Sequence, residues 1–345
     1  MVSSIRPKVT IKDVARACGV STQTVSRVLN DRLDVSRDTR EKILAVIEQM
    51  GYQPSALARS LRSQSKTIGV IIAGLNYVGI STTLFGITQA SQAYGFSLLL
   101  KVMPTFDSPD MQPYIRSLTA HQVEGMIYAA PEVGDNWKTV QKFLNDQTPP
   151  VVYLKGNPAS APTTISFDNF DGAYTITRHL IEQGYRNIAH ITGPLDWWES
   201  RERKRGWMRA LLDAGLPAPE CAVVSGDWST ASGAASLDIL LMQYPEMDAI
   251  FAANDQTALG VLSAATAKGI HVPYPLGVAG YDNIAESEYF TPPLTTIHQD
   301  FDLLGELAVH KLMAMNNPQN TDPSLSGNTL ILPATLKPRQ STQRG

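Results

Sequence analysis

The stretch VTIKDVARACGVSTQTVSRVLN, Val9 to Asn30, decides how the rest of the chain is read. Thr10, with Asp13 three residues later, has the spacing of a capping box and predicts a helix through about Ala17, with Ile11, Val14 and Ala15 on one face. Gly19 stops it. Ser21 then supplies the hydroxyl cap for a second helix to about Leu29, whose buried stripe is Val25, Val28 and Leu29. The tight turn at Gly19 crosses the two helices at the angle of a helix-turn-helix, the arrangement that lets a second helix enter a DNA major groove. A third helix, about Arg37 to Met50, buries Ile43, Val46, Ile47 and Met50 and ends at Gly51, a residue suited to the left-handed C-terminal position.

Charge agrees with this placement. Residues 1 to 66 hold twelve Lys/Arg against six Asp/Glu, a balance of +6, and the remainder holds 17 against 26, or -9. A basic head on an acidic body is the footprint expected where phosphates are neutralised and counterions released. The segment YQPSALARSLRSQSK, Tyr52 to Lys66, is polar and basic, with Pro54 opening a helix of one to two turns. Such a helix is too short to stand alone in water, so the segment reads as a linker that folds on a partner.

After Thr67 the pattern changes to apolar runs alternating with helical segments. Candidate strands are TIGVIIA (67 to 73), FSLLLKV (96 to 102), GMIYAA (125 to 130), VVYLK (151 to 155), NIAHITG (187 to 193), CAVVSG (221 to 226), DAIFAAN (248 to 254) and LGVAGY (276 to 281). Runs of Val, Ile and Ala without alternation suit parallel strands covered on both faces, so the expected body is two open α/β layers. The 345 residues suffice for two or three compact domains. An apolar fraction of 43% with 18% charge is that of a globular protein, and no run approaches the roughly 18 apolar residues of a membrane helix. The start MVSSIRPKVTIKDVA has no apolar segment of the secretory kind, which points to the cytoplasm. Cys18 and Cys221 fall in different expected domains without metal spacing, so buried free thiols are expected rather than a disulfide framework.

With these pieces in place, the chain closely resembles the lactose repressor family of bacterial transcription regulators along essentially its whole length. The matching blocks, in family order, are TIKDVARACGVSTQTVSRVLN, GYQPSALARSLRSQ, TIGVII, HLIEQGYRNIAHITGP, RGWMRALLDAGL, FAANDQTALGVLSAATAKGI and VAGYDNIAESEYFTPPLTTIHQDFDLLGELA. The resemblance implies a helix-turn-helix domain at 1–51, a hinge at 52–66 and an effector-binding core at 67–345 like that of periplasmic sugar-binding proteins. The two lobes of that core, of about 67–184 with 298–327 and about 185–297 with 328–345, would be joined by crossovers near Gly184, His298 and Gly327. The ligand would sit between them, outside the carboxyl ends of the parallel strands.

Residue by residue, the resemblance places Thr10, Ser21, Thr22, Gln23, Ser26, Arg27 and Asn30 at the DNA. Glutamine pairs with adenine edges and arginine chelates guanine in the major groove, whereas Ser21 caps its helix and touches phosphate. Leu61 resembles the hinge leucine that a dimer wedges into a central minor-groove step. Two hinges must then meet on near-palindromic, double-stranded operator DNA, which implies a homodimer. The tail KPRQSTQRG after Leu336 lacks the leucine heptads of a tetramerisation segment.

For the effector, Arg203, three residues before Gly206, matches the family's ligand-gripping arginine, whose fork holds two hydroxyls at once. Asn254 and Asp282, which end apolar runs, match family positions that exchange hydrogen bonds with hydroxyls, Asp171 matches through Gly172, and Gln299 through PPLTTIHQDF. Trp228 matches an aromatic against which a sugar face packs, and Phe301 closes the other side. The adjacent Trp197 and Trp198 are expected to send at least one ring into the cleft, and Tyr77 to supply a further rim. GDWS and QDF resemble the galactoside-binding members of the family, which implies a sugar or glycoside over a purine-type co-repressor, with a disaccharide suggested by the extra tryptophans. No nucleophile elbow, phosphate-cradling loop or metal-spaced histidine pair is visible, so neither catalysis nor a cofactor is expected.

Overall fold

The computed structural model describes residues 9–29, 32, 34–52, 66–108, 110–133, 136–143, 149–159, 163–317 and 327–344, the side chains at 137, 139, 141 and 143 excepted. Asn30, Leu61 and most of the expected hinge lie outside the described residues. The chain divides into two compact units, Met1–Lys66 and Thr67–Gly345.

In the first unit, α1 (Ile11–Cys18), α2 (Thr22–Leu29) and α3 (Arg37–Met50) follow from the caps. The Asp13 carboxylate accepts from the Thr10 backbone N–H at 2.9 Å and from its hydroxyl at 2.6 Å. Gly19 ends α1 at φ 69°, and the Val20 N–H returns to Ala15 O at 3.0 Å. Ser21 Oγ accepts from the Thr24 N–H at 3.1 Å and so opens α2. The three helices share one small core of Val14, Val25, Val28, Ile43 and Tyr52, with Ile11, Leu29, Val46, Ile47 and Met50 packed partly buried around it.

The second unit holds two parallel sheets. The larger comprises β1 (Thr67–Ile72), β2 (Ser97–Val102), β3 (Gly125–Tyr128), β4 (Val151–Leu154), β5 (Thr164–Phe167) and β11 (Thr329–Leu332), in the order β11-β5-β4-β3-β1-β2. The smaller comprises β6 (Ile188–Thr192), β7 (Val223–Ser225), β8 (Ala249–Ala252) and β9 (Gly277–Ala279), in the order β7-β6-β8-β9. A two-stranded antiparallel pair, β10 (Thr296–His298) with β12 (Thr335–Lys337), stands beside them. In both parallel sheets the strand order reverses, between β1 and β3 and between β6 and β8, which is where open sheets leave a crevice.

The lobe boundaries differ from the expected ones at two crossovers. Helix α7 (Asn169–Glu182) buries Ala173, Ile176 and Leu180 in the same cluster as Trp207 and Phe251, so the chain changes lobes at Phe167–Asn169, not near Gly184. The last passage falls between Leu332 and Ala334, not near Gly327, because β11 pairs with β5 from Thr329↔Thr164 to Leu332↔Phe167 while Ala334 packs in the other core. The middle passage runs from Ile297, in the second core, to Phe301, in the first. Phe301 opens α11 (Phe301–Asn316), which lies against α4 (Val78–Ala93) so closely that a Cβ on Gly86 would sit 2.2 Å from Asp302 O.

Candidate ligand cavity and nucleic-acid interface

On α2, Thr22, Gln23 and Arg27 are exposed and Ser26 half-buried on the side away from the inward-facing Val25 and Val28. Thr10 and Ser21 are exposed at the N-termini of α1 and α2. Arg27 Nε stands 3.6 Å from Asp34 Oδ2, both side chains more than half exposed, a pairing worth little in water and easily exchanged for a base or phosphate.

Between the two sheets lies a cavity of ≈ 410 Å³, within the roughly 300–1,000 Å³ of small-molecule sites. Its walls come from residues that follow strands. Tyr77 follows β1, Lys155 β4, Asn169 β5, Trp197 β6, Trp228 β7, Asn254 β8, Asp282 β9 and Gln299 β10. Apart from Gln299, which follows the antiparallel β10, these groups converge because parallel strands end at one edge of each sheet.

Arg203, on α8 (Trp198–Asp213), organises the floor. Its Nε donates to Asn169 Oδ1 at 2.8 Å, its Nη2 to Gln299 Oε1 at 3.1 Å, and its Nη1 to Ala253 O. The guanidinium lies 3.8 Å over the Tyr281 ring and 3.6 Å from Asp282 Oδ1. Burial pushes the Asp282 carboxyl up to about 6, with Arg203 and Lys155 acting against the shift. Asn254 caps α10 (Asp255–Ala267) through the Thr257 N–H at 2.9 Å and donates to Trp228 O at 3.0 Å.

The aromatic end is built from Tyr77, Phe106, Trp197 and Trp228. Their rings meet at 4.6–6.2 Å between centroids and at 53–67° between planes, edge to face except for the tilted Tyr77–Trp197 pair. Trp228 adopts φ 71°, and its ring lies on Gly193, where a Cβ would be 2.2 Å from it. Phe301 also lines the cavity, with Lys155 Nζ 4.5 Å above its ring.

Eight of the ten expected effector residues line this cavity: Tyr77, Trp197, Arg203, Trp228, Asn254, Asp282, Gln299 and Phe301. Two do not. Asp171 sits in the first turn of α7, its N–H held by Asp168 Oδ1 at 2.8 Å, and faces a shallow depression with Tyr174 and Arg205; Asn169 takes the cavity position instead. Trp198 is half-buried outside the cavity, its N–H 3.4 Å from Glu132 O, because successive residues at a helix start point in different directions. The residues not anticipated include Ser166, Lys155 and Glu199. Lys155 had a readable signal, a cation ending the apolar run VVYLK, whereas Glu199 sits in a charged helical stretch that gives no hint of burial.

Among the described residues, five buried polar atoms lining this cavity have no hydrogen-bond partner: Ser166 Oγ, Glu199 Oε2, Trp228 Nε1, Gln299 Nε2 and Asp282 Oδ1, the last with only its 3.6 Å ion-pair contact to Arg203. Buried polar groups are normally hydrogen-bonded, so these atoms give the cavity wall a concentration of donors and acceptors that suits a polar occupant.

A helix-turn-helix unit followed by two parallel α/β lobes around a polar and aromatic cavity defines the class of ligand-responsive DNA-binding regulators. Residues 10–55 match the family of bacterial regulatory proteins, lacI family, and residues 177–342 match the periplasmic binding protein-like domain. The HTH-type transcriptional repressor PurR of Haemophilus influenzae is 35% identical over 306 residues, spanning 88% of this chain and 90% of its own. PurR of Erwinia tasmaniensis is 34% identical over 97% of both chains. The lac repressor dimer bound to operator and the anti-inducer ONPF superposes with a TM-score of 0.85 at 31% identity, covering 98% of this chain and all of that one. The complex of the transcriptional regulator CelR with cellobiose gives 0.68 at 29% identity, covering 97% of this chain and all of its own. The chain belongs to the lacI family of bacterial regulatory proteins and is a DNA-binding transcriptional repressor of that family. Among the described residues no helix is long and apolar enough to cross a membrane.

Proposed function

We propose that the protein is a cytoplasmic homodimeric repressor that grips near-palindromic operator DNA and is released by a neutral sugar or glycoside, of disaccharide size, held between the lobes. The observation that carries this reading is the set of five cavity atoms without a hydrogen-bond partner among the described residues, of which Asp282 Oδ1 keeps only its 3.6 Å ion-pair contact with Arg203. Glu199 Oε2 and Asp282 Oδ1 seek donors, Trp228 Nε1 and Gln299 Nε2 seek acceptors, and Ser166 Oγ takes either. A polyol answers such a set because each hydroxyl both donates and accepts. The edge-to-face aromatic end offers single faces for a sugar ring to pack on, not two parallel faces that would sandwich a flat base.

In this reading Thr22, Gln23 and Arg27 read base edges, Thr10, Ser21, Ser26 and Asn30 position the head, and Leu61 from each copy opens a minor-groove step. Repression and release need no catalysis and no cofactor. The ligand touches both lobes and favours one arrangement of them, which moves the two hinges relative to each other; a short hinge helix, marginal by itself, then melts and frees the heads. Such a ligand shifts the equilibrium only by its differential affinity for the two states.

A second reading, a purine-type co-repressor, is favoured by the name PurR carried by relatives at 34–36% identity. A thermal-shift panel of mono- and disaccharides beside purine bases separates the two, since a ligand that binds the native state raises apparent stability. Stabilisation by a neutral saccharide supports the first reading; stabilisation by purine bases alone replaces it with the second.

A further inference from the structure

Resting on the saccharide reading, we propose that Lys155 and Glu199 form a specificity subsite that grips one ligand hydroxyl from opposite lobes and restricts the effector to uncharged sugars. Neither residue resembles an ordinary core group. Lys155 is 9% exposed at the end of β4, with φ 59°, and Glu199 is 7% exposed in the first turn of α8. Both face the cavity. One Lys155 N–H goes to Gly79 O at 2.9 Å, which leaves an ammonium with donors to spare, and Glu199 Oε2 has no partner. Among the described residues no ion pair closes Lys155 onto Glu199, although each senses the other's charge; burial pushes Glu199 up and Lys155 down.

A buried ammonium and a buried carboxylate that face one space without joining are both satisfied by a single group, a hydroxyl that accepts from Lys155 and donates to Glu199. An anionic substituent there meets Glu199, with Asp282 also on the cavity wall, while an ammonium meets Lys155 and Arg203. Uronic acids, sugar phosphates and amino sugars are therefore excluded at that position, and the neutral hydroxyl is retained. Lys155 belongs to the six-stranded lobe and Glu199 to the four-stranded lobe, so the same hydroxyl reports ligand occupancy to both.

The test is calorimetric titration of the full-length protein with cellobiose, lactose, maltose, glucose and galactose, and with glucuronic acid and glucose 6-phosphate, against wild type, Lys155→Met, Glu199→Gln and the double variant. The subsite is supported if each single variant weakens the best neutral saccharide by about tenfold or more, and the double variant loses no more than either single one, because one hydroxyl is shared. Glu199→Gln should also narrow the preference for neutral over anionic sugars. Unliganded melting controls for folding, since each single substitution leaves the other buried charge less compensated and lowers the melting temperature whereas the double variant removes both charges; a variant that does not fold is replaced by Lys155→Gln or Glu199→Met. Unchanged affinities in both singles, or losses that multiply in the double, overturn the subsite while leaving the saccharide reading intact. Absence of wild-type binding to every sugar overturns both.

Discussion

Arg203 and Asp282 stand 3.6 Å apart on the cavity floor, an ion pair whose side chains are only 6% and 13% exposed. Arg203 also ties Asn169 and Gln299 into the same floor. Replacing it with alanine removes the fork and strands a buried carboxylate. Arg203→Ala is therefore expected to keep operator binding and lose the effector response, with a stability cost of about 3–5 kcal/mol if Asp282 stays charged. Operator titration with and without saccharide reads the first effect and denaturant unfolding the second. Retained induction would remove Arg203 from the ligand.

Gly193 lies under Trp228, where an added Cβ would approach the indole to 2.2 Å. Gly193→Ala should push that ring into the cavity, costing about 1–3 kcal/mol by overpacking and weakening ligand affinity while DNA binding stays. Denaturant unfolding and ligand titration follow the two losses. Undisturbed affinity would mean that Trp228 does not shape the site.

On the head, Gln23→Ala and Arg27→Ala should each cost about 1–3 kcal/mol of operator affinity and relax specificity at particular base pairs. If Leu61 opens a minor-groove step in the specific complex, as proposed, Leu61→Ala should weaken operator binding far more than binding to random duplex. Competition assays at fixed salt measure both. Equal losses on operator and random DNA would assign these residues to phosphate contact alone.

His190 is fully buried between Trp207 and Phe251, its Nδ1–H donating to Phe251 O at 2.8 Å and its Nε2 unpartnered. Burial holds its pKa down to about 3, against 6.5 ordinarily. The folded state thus excludes a proton that the unfolded state takes up, and stability is lost as pH falls below about 6.5 towards 3. Asp282, raised by burial, acts in the opposite direction as pH falls from about 6. The variant comparison isolates the histidine: His190→Asn, which keeps a donor for Phe251 O, should lose less melting temperature than wild type between pH 7 and pH 4. Parallel curves would contradict this.

The eight Val, Ile and Ala runs all became strands, since parallel strands covered on both faces leave an unbroken apolar signature. The strands that were not anticipated are short or mixed. TISF, Thr164 to Phe167, is wholly buried yet half hydroxyl, and β10 to β12 are three or four residues each, too brief for periodicity to register. The crossover misplaced at Gly184 has a related cause, because the apolar stripe of α7 reads the same whichever sheet it covers. Cavity residues that end apolar runs, such as Asn254 and Asp282, were legible from position. Glu199 was not, because its burial depends on the lobes facing each other across the cavity.

In the proposed function, filling the cavity with a neutral saccharide loosens the grip on DNA. Fluorescence anisotropy of a labelled operator duplex, titrated with full-length protein at fixed salt in the absence and presence of saturating saccharides from the panel, measures that directly. At least one neutral saccharide should weaken operator affinity by about 5 to 150-fold, the range that a coupling of roughly 1–3 kcal/mol gives. Operator affinity unmoved by every saccharide, and strengthened by a purine base instead, would contradict the account.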